Sequence, residues 1–177
     1  MIRALGPGSV SSFLKAILDV SYYVLWASVV VIAVVILGLL LISFDPQILP
    51  ASVTVDMNFM GHPPGLVAAL MVFGRELYLI GVMVIVQRLR RIFGAMTAGD
   101  PFHPDNVRRL RVIGLFLALL EFDGYIFGGL GRFVLHADPY ADININLTPW
   151  FAVLVVFVLA EVFREGARLR RDAELTI

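Results

Sequence analysis

Apolar residues fall in four long runs separated by polar segments. The first extends from Val20 to about Phe44, the second from about Gly65 to Val86, the third from Leu110 to about Leu135, and the fourth begins at Thr148. Such runs reach the roughly 20 residues that an α-helix needs to cross a hydrocarbon core about 30 Å thick. Extended to the nearest breakers, they predict helices over about 20–44, 65–97, 106–135 and 149–171. Gly99, Pro101 and Pro104 end the second. Pro104, Asp105 and Asn106 suit the first turn of the third, where an acidic group meets the helix dipole. Thr148 can cap the fourth, with Pro149 in its first turn and Trp150 at interfacial depth. The first run is too long for a signal-peptide core of about 7–15 residues, so it reads as a permanent helix. Ahead of it, Phe13, Leu14, Ile17 and Leu18 follow helical spacing around Lys15 and Asp19, the pattern of a short interfacial helix.

The connections carry a different periodicity. Val53, Val55 and Met57 alternate with Ser52, Thr54 and Asp56, and Ile143, Ile145 and Leu147 alternate with Asp142, Asn144 and Asn146. Period two predicts short strands. They either pair into a small extracytoplasmic sheet or form independent loops, because isolated strand pairs are marginal in water.

Composition agrees with lipid as the solvent. Apolar residues make up 59% of the 177 and charged residues only 16%, against about a quarter in soluble domains. The formal net charge is zero, which argues against direct nucleic-acid binding. The placement of charge says more. Of the 14 Lys and Arg residues, 12 lie before the first run, between the second and third, or at the end of the fourth, and the two opposite loops hold none. The positive-inside rule then puts both termini and the central loop in the cytoplasm. The expected architecture is an all-α membrane protein, a bundle of four transmembrane helices in one domain.

Several charges fall inside the predicted spans: Arg75 and Glu76 in the second, Glu121 and Asp123 in the third, Glu161 and Arg164 in the inner half of the fourth. Each costs at least ~2.5 kcal/mol on insertion scales and must face the bundle interior, water or a partner. Counted from the basic residues at about 1.5 Å per residue, Arg75 lies roughly 20 Å deep, Asp123 about 18 Å and Glu121 about 15 Å. Matching depths predict that Arg75 pairs with Glu121 or Asp123, and Glu76 needs a different partner. Mutually satisfied pairs that fix helix register account for these residues more simply than a transport pathway. Gly124 and Gly128 have GxxxG spacing, which predicts close packing within the bundle or, alternatively, an oligomer.

No nucleophile elbow, phosphate loop or HExxH pattern is present, and cysteine is absent, so neither enzymatic activity nor a cofactor is expected. His62 and His136 stand near aspartates in the outer loops without metal-ligand spacing, so no metal site is expected.

Two segments are more specific. The central one contains Gly99, Pro101, Phe102, Asn106, Leu110, Arg111, Ile113 and Gly114. The C-terminal one contains Phe163, Arg164, Gly166, Leu169, Leu175, Thr176 and Ile177. In order and spacing they resemble a bacterial family of four-helix membrane proteins catalogued as domain of unknown function 2975. The resemblance implies residence in the bacterial inner membrane. Because members of that family often stand beside small helix-turn-helix regulators, it also implies a cytoplasmic partner of that kind.

Both segments lie on the predicted cytoplasmic side. The candidate partner-binding residues are therefore Arg90, Arg91, Gly99, Pro101, Phe102, Asn106, Arg109, Arg168, Leu175, Thr176 and Ile177, the last three as a β-prone end able to add a strand. Two other functions stay open: a small transporter or channel built on the intramembrane charges, and a bundle that binds lipid or a small molecule.

Overall fold

The computed structural model describes residues 10–44, 64–134 and 146–175. They form four helices and no strand: α1 (Val10–Phe44), α2 (Pro64–Thr97), α3 (Pro104–Val134) and α4 (Leu147–Glu174). The two alternating runs expected to pair as strands lie largely outside the described residues. The exception is the end of the second, where Leu147 already belongs to α4.

The predicted spans become these helices with shifted ends. The largest shift is at the start. The supposed interfacial segment is not a separate element, because α1 runs unbroken from Val10. No glycine or proline stands between Ser9 and Gly38 to interrupt it. The start of α4 also moves. Asn146, not Thr148, is its N-cap, and the Asn146 side chain accepts a hydrogen bond from the Thr148 amide at 3.0 Å.

Three of the four helices, α1, α2 and α4, hold stretches long and apolar enough to cross a membrane. The 31-residue α3 carries Glu121 and Asp123 within its apolar run. Large apolar side chains point outward along all four helices, among them Val24 and Val34 on α1, Phe73 and Leu77 on α2, Leu119 and Ile126 on α3, and Leu154 and Val158 on α4. Outward aliphatic faces suit a lipid surround.

Each helix packs on its neighbour in sequence: α1 on α2, α2 on α3, α3 on α4. No Cα of α1 comes within 8 Å of α3 or α4. The expected bundle is realised as a three-helix core with α1 laid against α2. That core sits toward the α2–α3 turn. Ile92, Leu110, Ile113 and Ala160 are buried there, with Ile85, Leu89, Met96, Leu117, Val156 and Phe163 packed around them.

Small residues set the helix spacing, though not the pair expected. A Cβ at Gly74 would run into the Phe127 ring, and one at Gly81 would come 2.6 Å from Leu120 Cδ2. These contacts fix the antiparallel register of α2 and α3. Gly114 plays the same part for α4, facing the Phe157 ring. Gly124 and Gly128 are exposed, and a Cβ at either would meet nothing within 4 Å. The GxxxG pair therefore makes no close packing among the described residues.

Candidate functional site

The basic end of the molecule is built on the turn between α2 and α3. Gly99 closes α2 at φ +85°, a left-handed conformation that glycine adopts without a Cβ penalty. The Gly99 amide donates to the Met96 carbonyl at 3.1 Å and the Asp100 amide to the Ala95 carbonyl at 3.0 Å, the paired closure of a Schellman end. Pro104 then opens α3 with Asp105 in its first turn. His103 Nδ1 accepts from the Asp105 amide at 3.2 Å, as a capping group does.

Asn106 holds this turn together. It is fully buried, at 0% exposure. Its Nδ2 donates to the Pro101 carbonyl at 3.0 Å, and its Oδ1 accepts from Arg109 Nη1 at 2.8 Å. The same Arg109 nitrogen donates to the Arg91 carbonyl at 3.2 Å, which ties α3 back to α2. Asp105 lies 3.6 Å from the Arg109 guanidinium. Asn106 and Arg109, expected to meet a partner, are thus committed inside the turn. A buried amide must find its hydrogen bonds within the protein, and this one does.

Phe102 joins the turn to α4. Its ring lies 5.7 Å from that of Phe163, tilted by 50°. Gly166 leaves the room, since a Cβ there would stand 2.7 Å from Phe102 Cδ1. Arg170 of α4 pairs with Asp100 of the turn. The two sequence segments singled out above, some 60 residues apart in the chain, are fastened together at one place. Asp100 and Arg170 carried no sequence signal, because an ion pair between residues 70 apart leaves no local pattern.

The outer surface of this end is charged with apolar islands. Arg164, Glu165, Arg168, Arg171 and Asp172 line a shallow depression of about 290 Å³. Arg168 is 67% exposed and lies 3.1 Å from Glu165 and 4.0 Å from Asp172. Arg91 is also exposed. Phe102 (40%), Leu169 (60%) and Leu175 (82%) show apolar surface among them. Leu175 is the C-cap of α4, with φ and ψ in the right-handed helical region. Thr176 and Ile177 lie outside the described residues.

Arg90 turns away from this surface. Its Nε meets Asp19 Oδ1 of α1 at 2.5 Å, and its guanidinium lies 4.5 Å from the Tyr22 ring centroid and 5.6 Å from that of Tyr23. It clamps α1 to α2 and is not an outward contact. Arg90→Ala is expected to loosen this attachment by about 1 kcal/mol, the usual scale of one partly exposed ion pair and its ring contacts. Hydrogen exchange over residues 13–20 should then speed up, with the α2–α3 turn unchanged.

The intramembrane charges separate into two groups. Glu161 and Arg164 pair with each other, and Arg111 lies 3.8 Å from Glu161. Because α4 runs antiparallel to α3, both stand at the level of Arg111, toward the basic end. Arg75, Glu121 and Asp123 do sit at adjacent levels, bracketed by the Gly74–Phe127 and Gly81–Leu120 contacts. Arg75 is exposed, its guanidinium 5.3 Å from the Tyr78 ring centroid, and it lies within electrostatic reach of Asp123. No ion pair closes between them among the described residues. Glu76 is buried at 5% exposure, and its Oε2 has no hydrogen-bond partner among the described residues. Among the described residues no cluster of three or more His, Asp or Glu could hold a metal ion.

Residues 20–177 match the family described as "Protein of unknown function (DUF2975)", and the chain belongs to that family. No curated protein and no solved structure matches it.

Proposed function

We propose that this member of DUF2975 is a four-pass inner-membrane protein whose basic end recruits or tunes a small cytoplasmic helix-turn-helix regulator. The lipid bilayer is its other partner. Twelve of the 14 basic residues precede the first apolar run, separate the second from the third, or end the fourth, which favours placing that end in the cytoplasm. The two hairpins α1–α2 and α3–α4 then leave both termini on the same side.

The observation that carries the reading is the joint of Phe102, Phe163, Gly166, Asp100 and Arg170. It brings the family's two segments into one rigid surface. Around it, exposed Phe102, Leu169 and Leu175 stand beside exposed Arg91 and Arg168. Aromatic and aliphatic anchors rimmed by arginines are what a protein partner can use.

The full chain, tagged at its N-terminus and purified from membranes, should retain the regulator encoded beside its own gene. A chain lacking residues 172–177, or carrying Leu169→Glu, should lose at least about tenfold of that retention. Failure of the intact chain to retain the regulator overturns the reading.

A further inference from the structure

We infer that the chain pairs with a second copy of itself inside the membrane, through α3 and the adjoining Arg75 of α2. The inference is independent of any cytoplasmic partner and rests only on α2 and α3 lying in the bilayer.

Charge provides the first argument. Arg75 is exposed nine residues into the apolar stretch of α2 that begins at Leu66, roughly 13 Å along the helix. Its own chain offers the Tyr78 ring and the nearby Asp123 but no closed ion pair among the described residues. Glu121, at an adjacent level on α3, is half-buried and equally without an ion pair among them. An arginine and a glutamate left open about five residues' rise apart, roughly 7 Å and within reach of their side chains, are complementary. In a dimer with its two-fold axis along the membrane normal, each residue keeps its depth. Arg75 of one copy can then meet Glu121 of the other, twice over. Hydrocarbon offers neither residue a partner, so a protein wall is favoured there.

The shape of α3 is the second argument. Glu121, Gly124 and Gly128 follow at i, i+3 and i+7 and share one stripe of the helix. Gly124 and Gly128 are exposed, and among the described residues nothing comes within 4 Å of a Cβ built on either. The close contacts of α2 with α3 and of α3 with α4 include glycines that face a neighbour's side chain, at Gly74, Gly81 and Gly114. At Gly124 and Gly128 the neighbour is missing. A helix of a second copy, brought close enough for backbone contact, supplies it. Glu121 then sits one turn from the crossing, where the partner's arginine can reach it.

The chain has no cysteine, so single cysteines report without background. Gly128→Cys in the full-length protein, oxidised in native membranes, should yield a disulfide-linked dimer. Ile126→Cys, exposed on the opposite side of α3, should not. Adding Gly124→Ile to Gly128→Cys should weaken crosslinking about tenfold or more. The free monomer accommodates that side chain in open space, so its yield and thermal midpoint should hold. In the same Gly128→Cys background, Arg75→Glu and Glu121→Arg should each reduce crosslinking. Co-expressing the two variants as separate copies should restore it, because each arginine again faces a glutamate. The inference is overturned if Gly128→Cys crosslinks no better than Ile126→Cys, if Gly124→Ile leaves crosslinking unchanged, or if the mixed charge variants fail to recover. None of these outcomes depends on whether a regulator is retained.

Discussion

Gly74→Val should separate α2 from α3 and lower the stability of the solubilised protein by about 1–3 kcal/mol or more, the range for overfilling a packed contact. A Cβ on residue 74 would fall within the Phe127 ring, an aromatic group held on a helix and unable to yield as the end of a flexible chain could. The loss should appear as a fall in the thermal midpoint measured in detergent. Phe127→Ala costs stability by itself, since it empties the space the ring fills. Combined with Gly74→Val, however, it should cost much less than the sum of the two single changes, because the added methyls then occupy vacated volume. Additive losses would mean that the two helices do not meet at this contact.

Asn106→Leu is expected to be the most damaging change at the basic end. It leaves the Pro101 carbonyl without its donor and frees the Arg109 guanidinium from one of its two acceptors. A buried polar group stripped of its partner costs about 1–3 kcal/mol, and leucine must also fit a site with no exposure at all. The turn should lose its hydrogen-exchange protection from Gly99 to Leu110. Phe102 should leave its seat on Gly166, because the carbonyl that positions the preceding Pro101 is no longer held. Asn106→Asp separates the two functions of the side chain. It keeps an acceptor for Arg109 but cannot donate to Pro101, so an intermediate loss of protection is expected.

Much of the architecture was legible in the sequence because apolar run length is a strong signal in a chain so poor in charge. The four helices, the breakers at Gly99 and Pro101, and the common depth of Arg75 and Asp123 all follow from counting along the chain. What was missed depended on contacts between residues far apart. Asp19 read as part of an interfacial helix because its partner, Arg90, stands 71 residues away on another helix. Glu161 and Arg164 read as a pair within the fourth span, and counting could not show that the register of α4 against α3 also brings Arg111 within 3.8 Å of Glu161. The glycines misled in an instructive way. GxxxG spacing drew attention to Gly124 and Gly128, while Gly74 and Gly81, seven residues apart on one face of α2, make the close contacts. Small-residue spacing reports that a helix can be approached closely. It does not report by which neighbour. At the basic end, Asn106 and Arg109 looked available because they are polar and near a turn, yet polar side chains at a tight turn are often the ones the turn itself requires.

The length of α1 has a mechanical consequence. Its 35 residues span about 52 Å, and a hydrocarbon core takes up about 30 Å of that. Set in a bilayer, roughly 20 Å of stiff rod would overhang the hydrocarbon core, clamped by Arg90 at Asp19 and, among the described helices, packed on α2 alone. A helix longer than the local hydrocarbon tilts to match it, so membrane thickness sets the angle of the rod. A tilt of about 10° would swing the free end by about 4 Å. Because no second helix among the described residues packs on α1, thinning or thickening of the bilayer would reach the basic end as a displacement of that tip.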